Sequence, residues 1–265
     1  MVELMKALVL GIIQGFTEFL PISSTGHLLI FRKLFGLSEA GLFLDTMLHL
    51  GTLISVFIIF WDDILQLLKK PFSKLALLII VGTIPTAIIG LTFEDYFEGI
   101  SKTGVTVGWE FLFTGFILWL AESIKGKGYK NVDQIQYKDA FLVGTLQGAA
   151  ILPAISRSGL TIAGALFRGI DKGTAARFSF LMSIPAILGA VVLQSLKLLK
   201  GEELASLHAI GTIPLIVATL ASAISGFIAV KWMLAIIQRG SLKVFSIYVW
   251  ILGIGILISQ FLGKW

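Results

Sequence analysis

Residues 11–27 read GIIQGFTEFLPISSTGH, and residues 144–159 read GTLQGAAILPAISRSG. At a constant offset of 133 residues, Gly11 matches Gly144, Gln14 matches Gln147 and Gly15 matches Gly148. Ser23, Thr25 and Gly26 then match Ser156, Ser158 and Gly159. Each copy sets a Pro-broken, hydroxyl-rich loop between two apolar stretches too short to cross a bilayer. In membrane proteins, short interrupted segments at corresponding positions of two halves point to the binding site.

The surrounding chain supports that frame. A hydrophobic fraction of 56% with 14% charged residues excludes an ordinary soluble domain. Several apolar stretches approach or exceed the ~20 residues that a helix needs to cross the hydrocarbon core. Strand-type alternation is absent, which argues against a β-barrel. The fold class is therefore all-α, a polytopic membrane protein. Six spans are predicted at 42–61, 75–93, 107–124, 175–196, 209–237 and 244–262. The tryptophans, at 61, 109, 119, 232, 250 and 265, fall mostly near segment ends, as interfacial anchors do. The start, MVELMKALVL, carries Glu3 and runs straight into the first motif, unlike a cleaved signal peptide.

Two regions do not fit as spans: 4–20 with 26–36, and 139–152 with 159–168. An arm of about eleven residues rises only ~16 Å, roughly half the hydrocarbon thickness. Each region is read as a re-entrant helical hairpin. Three spans separate them, so the second enters from the opposite face. The expected architecture is one membrane domain of residues 1–265, built of two inverted repeats at about 1–124 and 139–265. Non-helical backbone at that depth needs protein packing or a wet cavity, so a polar chamber is implied.

The net charge of +5 reflects loop lysines and not a nucleic-acid footprint. One side holds Lys69, Lys70, Lys74, Lys125, Lys127, Lys130, Lys138, Arg168, Lys172, Arg239 and Lys243. The other holds only Lys6, Arg32, Lys33, Lys102, Lys197, Lys200 and Lys264. The richer side is assigned to the cytoplasm, so the first hairpin and both termini face outward. There are no cysteines and only three histidines, 27, 49 and 208. Thiolate sites are excluded, and any metal should be a hard cation on oxygen ligands.

Glu18 sits in an apolar stretch, one helical turn after Gln14. A carboxylate in a membrane segment costs about 2.5–3.5 kcal/mol on insertion scales, so it needs a partner or a function. It is either a packing group bonded to the adjacent loop, or a metal ligand or general base. Ser23, Ser24, Thr25 and Gly26 are either an ordinary helix cap or an anion cradle. His27 could serve as base, acid or nucleophile, or be structural. Ser156, Arg157 and Ser158 form the second loop tip. The Arg157 fork matches phosphate, and its structural alternative is a salt bridge to Glu18. Thr161 lies one turn further on. Asp45 and His49 share a face of the first span as supporting groups, and Arg177 is either a phosphate contact or an interfacial cation. His208 is read as surface. The repeat is asymmetric: Ile151 stands opposite Glu18, and Ser24 opposite Arg157. An acidic half facing a basic half suits a phosphate ester bound with a divalent cation.

Gln14-x-x-x-Glu18 followed by Pro21-x-Ser-Ser-Thr-Gly-His27, with Pro153-x-x-Ser156-Arg157-Ser158-x-x-Thr161, resembles the bacitracin-resistance family of undecaprenyl-diphosphate phosphatases. The similarity covers essentially the whole chain and extends to Phe178-Ser179-Phe180 and Ile184-Pro185. The family accepts Glu or Gln at the first motif position, here Gln14. Its second motif usually has Gly where this chain has Ala154, which stiffens the loop. The resemblance implies hydrolysis of undecaprenyl diphosphate to the monophosphate, the carrier lipid of envelope synthesis, with Mg²⁺ or Ca²⁺. It implies catalytic roles for Glu18, Ser24, His27 and Arg157. Diphosphate binding falls to Gln14, Ser23, Thr25, Gly26, Ser156, Ser158, Thr161 and Arg177, and metal ligation to Glu18 and Gln14. The nucleophile is either Ser24, activated by His27 or Glu18, or metal-bound water. The implied partners are the polyprenyl diphosphate and membrane lipids, with no nucleic acid; a homo-oligomer is compatible with the sequence. The alternative function is a polyprenyl-phosphate transporter or flippase, since broken helices in inverted repeats also serve transport.

Overall fold

Each apolar stretch of the sequence folds as a helix, and each Pro-containing break folds as a loop. The computed structural model describes residues 2–37, 41–124, 128–200 and 211–265. Within them the helices are α1 (Val2–Phe19), α2 (Ser24–Phe35), α3 (Gly41–Ile59), α4 (Trp61–Lys69), α5 (Lys74–Thr92) and α6 (Glu94–Thr103). They continue as α7 (Val107–Ser123), α8 (Tyr137–Ala149), α9 (Arg157–Phe167), α10 (Lys172–Leu199), α11 (Thr212–Arg239) and α12 (Lys243–Phe261). No strand occurs among the described residues.

Four helices, α5, α10, α11 and α12, are long and apolar enough to cross a membrane. A fifth span results if α3 and α4, bent by 79° at Phe60, count as one. The outer faces of these helices are apolar. On α5, Ile80, Ile84 and Ile88 are exposed at helical spacing, and on α12, Ile247, Ile251, Ile254 and Ile258 are exposed. Such stripes place hydrocarbon outside and polar groups inside. Two expectations change. Residues 62–69 and 94–103, left between the expected spans, belong to the helices α4 and α6. The helix expected at 175–196 begins earlier, because the Asp171 carboxylate caps the Gly173 and Thr174 N–H groups.

Helix α1 packs most extensively on α11, from the other half, and α8 packs on α5. The motif glycines permit both approaches. A Cβ at Gly15 would lie 2.6 Å from both Ser222 O and Gly226 N, and one at Gly144 would lie 1.9 Å from Gly82 O. The conserved offset of these glycines thus marks two equivalent helix contacts.

Ion pairs define the two ends of the bundle. At one end Lys130 and Arg168 both bind Asp139, at 3.0 and 2.6 Å, and Lys172 binds Glu122 at 2.8 Å. Lys74 donates to the Asp133 carbonyl there. At the other end Gln260 and Trp265 donate to Gly104 O, and the Lys33 ammonium lies over the Trp265 ring. The α1–α2 pair opens toward this second end and the α8–α9 pair toward the first. Lys125, Lys127 and His208 lie outside the described residues.

Candidate active site

Two loops meet between the ends. The first starts where Pro21 stops α1, and α2 begins again under Ser23, whose hydroxyl accepts from Gly26 N–H at 3.3 Å. The second follows α8, and Ser156 caps α9 by accepting from Gly159 N–H at 3.0 Å. The loops are stitched across the repeat. Ser23 donates to Pro153 O at 3.0 Å, and Ser158 donates to Leu20 O at 3.2 Å. Helix α7 holds the second loop from below. Glu110 accepts from Ala154 N–H at 2.6 Å, while Thr114 donates to Ala154 O and accepts from Ser156 N–H, both at 3.2 Å.

Glu18 is the hub of the junction. It is buried, and one carboxylate oxygen takes the Arg157 guanidinium. The other accepts from Ser24 Oγ at 2.5 Å and from Gln14 Nε2 at 3.0 Å, with His49 Nε2 at 3.3 Å. A buried carboxylate is tolerable only with partners of this kind. His49 in turn rests its Nδ1 on Asp45 O at 2.6 Å, and the Asp45 carboxylate pairs with Arg32 at 3.2 Å. Both alternatives weighed for Arg157 meet here, because the residue that fits phosphate is also the partner of Glu18. Beside Glu18, the buried Gln14 Oε1 and Arg157 Nη1 have no hydrogen-bond partner among the described residues, and further out the same holds for Asp45 Oδ1. Such atoms call for a ligand or water.

The other candidates divide. Ser23, Gly26, Ser156 and Ser158 build the loops: their hydroxyls and N–H groups are spent on caps and cross-loop bonds. Gly26 is the close-approach point, since a Cβ there would lie 2.6 Å from the Phe111 ring and 3.0 Å from Ala154 Cβ. Thr25 is partly buried in the first turn of α2. Thr161 turns away from the guanidinium, bonding Arg157 O at 2.9 Å and Ser179 Oγ at 2.6 Å. Arg177 is not drawn into the cluster but pairs with Asp63 of α4. His27 does not bond Ser24. Its Nδ1 lies 2.6 Å from Ser23 O and its Nε2 2.8 Å from Tyr248 Oη. His49, read as a supporting group, touches Glu18 directly.

Three contributors escaped the sequence reading: Glu110, Thr114 and Tyr248. A carboxylate inside the apolar run 107–124, well before Glu122 near its end, was the one available signal for Glu110. Nothing in the pattern distinguishes Thr114 or Tyr248.

Gln14 Oε1 and the Glu18 carboxylate are two oxygen donors one helical turn apart. Among the described residues no group of three His, Cys, Asp or Glu side chains could hold a metal. The donor set fits an ion that takes one or two protein oxygens and draws its remaining ligands from phosphate and water, as Mg²⁺ commonly does.

Comparison with known proteins identifies the family. The family model described as Bacitracin resistance protein BacA matches residues 7–255. Undecaprenyl-diphosphatase 4 of Bacillus cereus is 59% identical over 257 residues, covering 97% of each chain. The undecaprenyl-diphosphatase of Carboxydothermus hydrogenoformans is 54% identical over 259 residues, covering 98% of each. That of Halothermothrix orenii is 46% identical over 258 residues, covering 97% of this chain and 98% of its own. The chain therefore belongs to the bacitracin resistance protein BacA family.

Proposed function

We propose that the chain is an integral-membrane phosphatase that hydrolyses undecaprenyl diphosphate to undecaprenyl phosphate and orthophosphate, recycling the carrier lipid of cell-envelope synthesis. The relatives, alike over nearly their full length, carry that name. The observation that carries the chemistry is the position of Glu18, which accepts the Ser24 hydroxyl proton while paired with Arg157 from the other repeat.

In this reading Arg157 holds the terminal phosphoryl group, with Nη1 free to donate to one of its oxygens. Glu18 takes the Ser24 proton as Oγ attacks the terminal phosphorus. The bond from phosphorus to the bridging oxygen breaks, and undecaprenyl phosphate leaves. The undecaprenyl phosphate carries off the proton that Glu18 took, so the carboxylate is free again; water then attacks the phosphoserine, giving its proton to Glu18, which returns it to Ser24 Oγ as orthophosphate departs. The N-termini of α2 and α9 converge on this space and favour negative charge. A divalent cation, Mg²⁺ or Ca²⁺, on Glu18 and Gln14 would supply positive charge against the diphosphate. The bond from Ser24 to Glu18 favours serine as nucleophile over water.

The membrane reading is six spans (α3, α5, α7, α10, α11, α12) and two re-entrant hairpins (α1–α2, α8–α9) in one domain of two inverted repeats. What supports it is that the hairpins open to opposite ends while their tips touch. The lysine-rich end is taken as cytoplasmic, so the first hairpin and both termini face outward. The equivalent packing of α1 on α11 and α8 on α5 also suits a lipid transporter. One assay separates them. The purified protein in detergent should release orthophosphate and undecaprenyl phosphate in equal amounts from undecaprenyl diphosphate. Full recovery of intact diphosphate would remove the phosphatase reading.

A further inference from the structure

His27 stands three residues after the proposed nucleophile, yet both its ring nitrogens are already engaged. Nδ1 lies 2.6 Å from the Ser23 carbonyl oxygen, which can only accept, so Nδ1 carries a proton. Nε2 lies 2.8 Å from Tyr248 Oη. In the neutral ring Nε2 is then the acceptor and the tyrosine hydroxyl the donor. The two rings lie nearly parallel, 6° apart, and the Phe111 ring meets His27 edge-on with centroids 5.6 Å apart. His27 is buried and confined on all these sides.

What this arrangement grips is unusual backbone. Ser23 has φ 67° and ψ 101°, and it is the one non-glycine residue at positive φ among the described residues. A serine there is strained, and strain persists where surroundings fix it. Ser24, which bonds Glu18, follows directly.

We propose that Tyr248 is a positioning residue for hydrolysis. It locks His27 in the Nδ1–H tautomer, and His27 pins the strained Ser23 carbonyl so that Ser24 Oγ stays on Glu18. His27 then acts as a clamp on the nucleophile loop and not as its general base. The proposal rests on the phosphatase reading for its kinetic arm only.

The test joins kinetics to a signal independent of turnover. Tyr248→Phe keeps the ring and removes only the hydroxyl, from a residue 44% exposed on the apolar outer surface, so the fold should survive. Its kcat should fall about tenfold with KM nearly unchanged, as expected when about 1.4 kcal/mol of positioning is lost. At position 27, Asn can place an N–H near the site of Nδ1, whereas Gln reaches toward that of Nε2. His27→Asn should therefore retain clearly more activity than His27→Gln or His27→Ala. Nitrogen-15 NMR of labelled histidine, assigned with the His27→Asn variant, should show the Nδ1–H tautomer in the wild type. In Tyr248→Phe that resonance should shift. A wild-type His27 with Nε2–H would overturn the proposal, as would wild-type kcat in Tyr248→Phe, or equal rates for the Asn and Gln variants. A wild-type protein that releases no phosphate would instead remove the phosphatase reading, leaving the tautomer result to stand or fall alone.

Discussion

Replacing Arg157 by Ala removes the one guanidinium that joins the two repeats at Glu18. Its Nη2 holds the Glu18 carboxylate, and its buried Nη1 has no partner among the described residues. A phosphate oxygen at Nη1 would form a charge-assisted bond, worth about 1.5–3 kcal/mol. If the developing charge draws on both nitrogens, the loss is about 3–4 kcal/mol, or a rate lower by about 10²–10³. Lysine at this position keeps the charge but not the fork, so Arg157→Lys should fall between, at roughly a tenth of wild-type rate. Stability should suffer less than when a buried charge is fully orphaned, which costs about 3–5 kcal/mol. Glu18 keeps Ser24, Gln14 and His49, so a loss of about 1–2 kcal/mol is expected. The assay is orthophosphate release from undecaprenyl diphosphate in detergent, alongside a thermal melt of each variant. An Arg157→Ala protein that keeps more than about a tenth of wild-type kcat/KM would refute the clamp, whatever its melting temperature.

Three other variants probe separate parts of the account. Glu18→Gln removes the charge but not the shape, so activity should collapse and the divalent-ion titration should shift to higher concentration; an unchanged titration would exclude Glu18 as a ligand. Gly144→Ala places a methyl 1.9 Å from Gly82 O and should cost about 1–3 kcal/mol as α8 is pushed off α5, and an unaltered melt would show that the contact is slack. Arg177→Ala should leave phosphate release within about twofold of wild type, because Arg177 is a half-exposed partner of Asp63; such pairs contribute about 0–1 kcal/mol, and a large kinetic loss would place Arg177 at the substrate after all.

The helices were legible because hydrocarbon is an unforgiving solvent. Apolar runs of span length leave few alternatives to helix, and α5, α7 and α12 lie within about two residues of their expected limits. The loops at 20–23 and 150–156 were legible from Pro21, Pro153 and their hydroxyl neighbours. Helices α4 and α6 were not, because their polar, amphipathic sequences read equally well as connections. At the site, a charge in an apolar run is costly, and that cost exposed Glu18 and Arg157 before any contact was known. Residues whose importance lies in a distant partner gave no such signal. Tyr248 meets His27 across 221 positions, and Glu110 meets Ala154 across 44. Local pattern left the roles of His49 and Arg177 open. Both are polar groups on long apolar helices, and only the packing of α3 on α1 and the pairing of Arg177 with Asp63 separate one role from the other. The serines show the same limit, since a cap and an anion cradle use identical residues.

The central claim is that Ser24, Glu18 and Arg157 form the reaction centre. Its most direct test is rapid quenching of the purified protein with undecaprenyl diphosphate labelled on the terminal phosphorus, followed by peptide mapping. The account predicts transient label on Ser24, absent from Ser24→Ala and followed by free orthophosphate. Orthophosphate release at an undiminished rate from Ser24→Ala, with no labelled protein at any time, would contradict it.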